Sequence, residues 1–191
     1  EFRRVLFRSA ALQDKDAVLY RIKTPLLKDG RARVAIRFPY PTGKHADAAS
    51  DWTKPERHTS RIVVNEKHAA LIEHVLDSTC YFLFLRWQGD ATIEECDRHH
   101  FELTTTDDVL SLEAEYVLEP ASVLRGEGAF VFDQELRSVM KAWNSWWQQG
   151  AIVDFTACTD PRARELERRV VLSQYLTQVN CANNMPPQET G

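Results

Sequence analysis

The sequence predicts an α+β chain, an antiparallel β-sandwich followed by two helices. Three observations predict it. Between residues 17 and 118, short apolar segments alternate with polar residues at period two, and turn-forming residues separate them. At about residue 132 the apolar period becomes helical. A second helix then restarts at Asp160-Pro161. Strands first and helices after is the order of an α+β chain rather than of repeated βαβ units.

The strands read as follows. Ala32, Val34, Ile36 and Phe38 alternate with Arg31, Arg33 and Arg37, which gives one buried and one charged face. Leu110, Leu112, Ala114, Tyr116 and Leu118 alternate with Ser111, Glu113 and Glu115 in the same way. Arg61-Ile62-Val63-Val64 is a short β-branched strand. Leu71–Leu76 and Tyr81–Trp87 flank Asp77-Ser78-Thr79 and form a hairpin or a sheet-to-sheet corner. The next turn is Trp87-Gln88-Gly89-Asp90, followed by strands at Thr92–Glu95 and His100–Thr104. Asp107-Asp108 follows three threonines and precedes a strand, so it reads as a turn rather than an acid pair. From Pro39 to His58 runs a loop rich in Pro, Gly, Asp and Ser, with Tyr40 and Trp52 in it. Loops of this length in a compact domain are usually functional or disordered, and the aromatic residues argue against disorder.

In the helical part, Leu136, Val139, Met140, Trp143, Trp146 and Trp147 fall on one stripe. Asp133 is placed to cap the helix and Gly150 to end it. The three tryptophans are expected to pack on a sheet or a second helical layer; the alternative is an indole lining a sugar site. Asp160 is expected to cap the last helix, with Pro161 at its first position. Leu166, Val170, Tyr175, Leu176 and Val179 make a broad apolar stripe, and Glu165 pairs by spacing with Arg168 or Arg169. Such a stripe implies burial among several helices, yet the sequence supplies one other. The domain reading is therefore 10–131 for the sandwich, 132–159 for a linker helix and connector, and 160–191 for the start of a helical domain.

Composition narrows the function classes. A net charge of -4 with no basic face excludes the usual nucleic-acid binder. No apolar run approaches the ~20 residues of a membrane span; the longest is Cys80–Leu85. Four cysteines without a Cys-x-x-Cys spacing make no disulfide scaffold, and Cys80 reads as a core thiol. His99-His100 near Cys96 tempts a zinc reading, but adjacent strand residues face opposite ways. There is no Gly-rich phosphate loop and no Gly-x-Ser-x-Gly elbow. No metal and no cofactor is expected.

Both ends invite an expectation of incompleteness. Residues 1–9 lack an initiator Met, and Val5-Leu6-Phe7-Arg8-Ser9 matches the translation of a sequencing adapter, so they are set outside the fold. The other end stops in a polar Pro186-Pro187-Gln188-Glu189-Thr190-Gly191 loop, as if more structure followed. The expectation is the front part of a larger protein, with cytoplasmic and periplasmic locations both open.

A β domain, a Trp-rich helix, then a helix entering this loop is an order that resembles the six-hairpin (α/α) barrel glycosidases near family 65 of the glycoside hydrolases. Asp154-Phe155, Thr159-Asp160-Pro161-Arg162-Ala163, Glu165 to Leu176 and Pro186 to Gly191 carry the resemblance. It is strongest over residues 143–191; over the strands only a supersandwich character is shared, and Cys181 to Met185 departs from the family pattern. The resemblance implies that the final helix opens a truncated (α/α)6 barrel whose catalytic carboxylates lie on later loops. No catalytic residue is transferred. It also implies that Gln188 and Glu189 approach the sugar cleft; the competing role for Glu189 is to cap the next helix. Inverting cleavage would need an acid and a base roughly 6.5–9.5 Å apart, and no such pair is legible.

The first functional reading is thus the non-catalytic N-terminal part of an enzyme cleaving glycosidic bonds, its partner an oligosaccharide or glycoside. The second is a free-standing carbohydrate-binding sandwich using Trp52, Trp87 and Tyr40. The third is an interaction domain that dimerises through its tryptophans. Trp52, Arg57 and His58 are the sugar-contact candidates in the long loop, beside Gln188 and Glu189.

Overall fold

The computed structural model describes residues 5–44, 47–124, 129–150 and 153–181. Its strands are β1 (Leu6–Ala11), β2 (Ala17–Lys23), β3 (Val34–Arg37), β4 (His58–Glu66), β5 (Ala69–Leu76), β6 (Thr79–Gln88), β7 (Ala91–Asp97), β8 (His100–Thr105) and β9 (Val109–Val117). Short helices α1 (Pro25–Lys28) and α2 (Ala121–Leu124) accompany them, with a 3-10 turn at Pro55–Arg57. The long helices are α3 (Phe132–Gln149) and α4 (Ala163–Cys181). The chain divides into two compact units, residues 1–139 and 140–191, so the β unit extends beyond residue 131 and the division falls within α3.

The β unit is an antiparallel sandwich. Its larger sheet has the order β1-β2-β9-β6-β5-β4 and its smaller sheet β3-β8-β7. Alternation builds the core between them. Ile72, Leu83, Leu85, Trp87, Leu110 and Leu112 from the large sheet meet Phe38 beside β3, Ile93, Phe101 and Leu103 from the small one. Burial of side chains this size stabilises by roughly 1.5–3 kcal/mol each, which pins the strand registers. The turn after β6 needs a glycine. Gly89 has φ +96, and a Cβ there would sit 2.8 Å from the Asp107 carboxylate. That carboxylate is occupied, accepting the Asp90 N–H at 3.0 Å, so Asp107-Asp108 serves as turn structure.

Four sequence expectations are corrected. Residues 6–9, set outside the fold with the rest of 1–9, form with Ala10 and Ala11 the edge strand β1, paired to Val18–Lys23 of β2. Their side chains are largely exposed, which is why hydrophobic patterning did not reveal them. Cys80 is exposed, because alternate positions of β6 face away from the sheet-sheet core. Glu113 belongs to no solvated face. It is 1% exposed and accepts hydrogen bonds from Lys15 and from Arg86, the latter at 2.9 Å. The chain after residue 129 crosses this outer sheet face. Phe132 donates its N–H to the Gln88 side chain at 2.9 Å, and the Arg21 guanidinium lies 4.1 Å from the Phe132 ring centre. Finally, Asp133 is inside the first turn of α3 rather than its cap, and its carboxylate pairs with Arg21 at 2.8 Å.

The helical unit is described by itself. Trp143 packs edge-on to Trp146 at 5.7 Å and tilts against Tyr175 of α4 at 5.4 Å. The tryptophan stripe therefore meets a second helix, as expected. The Asp160 side chain accepts the Arg162 N–H at 2.8 Å just ahead of α4, and Glu165 bonds both Arg168 and Arg169. The α4 stripe, for which the sequence supplies one neighbouring helix, is open: Leu166, Tyr175, Leu176 and Val179 are between 43% and 54% exposed. One neighbouring helix cannot cover a stripe that wide. Among the described residues no helix is long and apolar enough to cross a membrane.

Candidate functional site

The sequence places three histidines far apart, and the sandwich brings them together. His58 opens β4, His74 lies on β5 opposite Ser60, and His99 occupies the turn between β7 and β8. His58 and His99 stack, with ring centres 3.7 Å apart and planes 17° from parallel. His58 Nδ1 and His74 Nε2 share a hydrogen bond of 2.8 Å. His74 itself is wedged between Phe38, 4.8 Å away, and Tyr81, 4.9 Å away.

Hydrogen bonding assigns the protons. The Pro55 carbonyl, 2.7 Å from His99 Nε2, is an acceptor only, so His99 Nε2 carries the proton. His99 Nδ1 then accepts from the Ser60 hydroxyl at 2.8 Å. His74 Nδ1 is buried with no partner. Donation from His74 Nε2 to His58 Nδ1 leaves a lone pair there rather than an orphaned N–H, which is the less costly arrangement. Burial, then the neighbouring imidazoles, pushes His74 down to about 4. His58 is lowered as well, by burial, His99 and Arg98 in that order. All ring nitrogens with assigned bonds are thus turned to protein partners. Among the described residues no three His, Cys, Asp or Glu converge on a metal position.

His99 reaches this place in the left-handed region, with φ 60. A non-glycine residue there costs of order 1–3 kcal/mol, offset by its stack and two hydrogen bonds. Such strain at a cavity wall is a pointer to function.

The cavity is a groove of about 230 Å³. Arg37, Asp51, Trp52, Asp97, Arg98 and His100 line it, with buried His58 and His99 on its inner side. Trp52 is 60% exposed, yet its backbone is held on both sides. Asp51 and Tyr40 exchange backbone hydrogen bonds of 3.2 and 2.7 Å. Asp51 Oδ1 accepts from the Thr53 hydroxyl at 2.6 Å and the Thr53 N–H at 2.9 Å, while Oδ2 meets Lys54 Nζ at 2.9 Å. These contacts hold the Asp51 carboxyl well below the usual carboxylate range. The indole therefore stands on a braced turn with one side open to solvent.

Of the residues singled out from sequence, Trp52 and His58 share this groove. Arg57 stands beside it. Its guanidinium lies 4.8 Å over the Tyr40 ring and 4.0 Å from Asp77, whose carboxylate accepts the Tyr40 hydroxyl. Arg57 thus braces the loop base. Gln188 and Glu189 lie outside the described residues. Trp87, 2% exposed, is core. Arg37, Arg98 and His99 were missed as site residues. Arg37 read as a charged strand face and His99 as a failed zinc ligand. No local signal joins them, since the β3–β8 pairing assembles the groove.

Comparison with protein-family models, curated proteins and solved structures finds no match for this chain.

Proposed function

We propose that the β unit binds a sugar ring in the Trp52 groove, and that it is the non-catalytic part of a carbohydrate-active enzyme cleaving glycosidic bonds, by inversion. On this reading α4 opens an (α/α)6 barrel, and the acid and base carboxylates lie on later barrel loops. The observation that carries the sugar reading is an exposed, backbone-braced indole over a groove of planar charged side chains. Indole faces accept the C–H face of a pyranose, while guanidinium, imidazole and carboxylate groups match its hydroxyls. The groove falls below the ~300–1,000 Å³ of drug-sized pockets, a scale that suits one ring. A second reading is a free-standing carbohydrate-binding module. It is favoured by the groove's lying wholly in residues 1–139.

Calorimetric titration of the purified chain with a panel of monosaccharides and short oligosaccharides tests the sugar reading. At least one should bind, and Trp52→Ala should abolish the heat while leaving the melting temperature within a degree or two, because an exposed side chain contributes little to stability. Absence of binding across the panel, or unaltered binding by Trp52→Ala, would refute it. The same chain should turn over no glycoside; measured hydrolysis would refute the placement of the carboxylates elsewhere.

A further inference from the structure

We infer that the sugar taken by the Trp52 groove carries a negatively charged group, which Arg37 and Arg98 hold. The inference rests on the sugar reading above and narrows it to acidic sugars. In the β unit Arg21, Arg33, Arg61 and Arg86 each face a carboxylate at 2.6–2.9 Å. Arg37 and Arg98 do not, and nor do Arg8 and Arg31, which lie outside the groove. Arg37 and Arg98 line the groove, and among the described residues neither guanidinium has an ion pair or a hydrogen bond.

Of the acids in the same groove, Asp51 is paired with a cation, whereas Asp97 carries a local backbone hydrogen bond. Asp51 is taken by the Thr53 hydroxyl, the Thr53 N–H and Lys54. Asp97 Oδ1 accepts the Arg98 N–H at 2.7 Å. His100 Nε2 lies 3.3 Å from a carboxylate oxygen of Glu102. Both guanidiniums stand beside the open indole.

The fold fixes the backbone that carries both cations. Arg37 is the last residue of β3 and pairs in register with His100 on β8. Arg98 shares the β7–β8 turn with His99, whose left-handed backbone is held by Ser60 and Pro55. A guanidinium presents a planar fork of donors that matches the two oxygens of a carboxylate, or two of a phosphate. The positive field of Arg98 already reaches His58, where it opposes protonation. An anion in the groove would pair with the two cations, whereas a neutral ring would leave them unpaired.

Titration with matched methyl glycosides distinguishes the possibilities: glucose against glucuronate, galactose against galacturonate, mannose against mannuronate. Glucose 6-phosphate and inorganic phosphate complete the set. An acidic sugar is expected to bind at least about ten-fold tighter than its neutral parent, the size of one charge-assisted contact. Arg37→Gln and Arg98→Gln should each reduce that preference without moving the melting temperature, and 0.5 M salt should erode it by screening. The tighter of uronate and sugar phosphate identifies the acid.

Equal binding of acidic and neutral partners would overturn this inference and leave the sugar reading intact. Binding of inorganic phosphate as tightly as the sugar acids, unaffected by Trp52→Ala, would reveal a simple anion site and overturn it too. Failure of every sugar would sink both readings together.

Discussion

His74 shows how far one residue's environment can move its chemistry. It is 1% exposed, bonded through one nitrogen to His58, and held down to about 4 by burial and by two neighbouring imidazoles. In the unfolded chain the same group takes a proton at about 6.5. Between those values the unfolded state binds the proton and the folded state does not, so stability rises with pH in that window and is flat above it. His58, also lowered, acts in the same direction. Stability, and with it the thermal midpoint, is therefore expected to drop as pH falls from 7 to 5, at up to about 1.4 kcal/mol per pH unit from His74, with His58 adding in the same direction. The carboxylates lowered by their partners contribute only at more acid pH. Glu165, for example, is pulled down to about 2 by Arg168 and Arg169. Circular-dichroism melts at pH 7, 6 and 5 check the claim, and His74→Asn should flatten the slope. A wild-type midpoint unchanged over that range would contradict it.

At the scale of elements, α3 and α4 were the most legible parts of the sequence, and α4 carries a prediction. Its apolar residues Leu166, Leu176 and Val179 remain about half exposed although their spacing is that of a buried helix. Side chains left in water add little to stability, so replacing all three with Gln should change the unfolding midpoint by no more than about 0.5 kcal/mol per site. The same change should reduce self-association, because exposed apolar stripes promote it. Sedimentation velocity and urea melts of the triple variant measure both. A large loss of stability would mean that the stripe is covered. Strand β9 makes the opposite point. Its alternation was read correctly, but Ser111 and Glu113 are buried where a solvated face was expected. Period two states that two faces differ; it does not state which faces another layer covers.

The molecule as a whole divides at residue 139. The β unit has its own two-sheet core, and Phe132 covers part of the outer face of its larger sheet, at Arg21 and Gln88. A chain of this size buries enough surface to fold alone. Residues 1–139 produced without the rest should unfold in one cooperative transition and, on the proposed function, bind the same sugars as the full chain. A broad, non-cooperative melt would show that the helical unit is needed for the sandwich. Trp52 and His58 could be picked from sequence because aromatic and ionisable residues in a long loop stand out. Arg37, Arg98 and His99 could not, since a strand arginine and a turn histidine look ordinary until β3 pairs with β8.

The sequence by itself determined where strands give way to helices, which turns need Gly89 or Asp107, and that a helix follows Asp160-Pro161. Those features depend on residues a few positions apart, where period and turn chemistry act. Only the tertiary structure decided that three distant histidines stack, that Glu113 is enclosed, and that two arginines stand unpaired beside an open indole. Each of these arises when one layer of the sandwich closes on another, and no local pattern records which faces will meet.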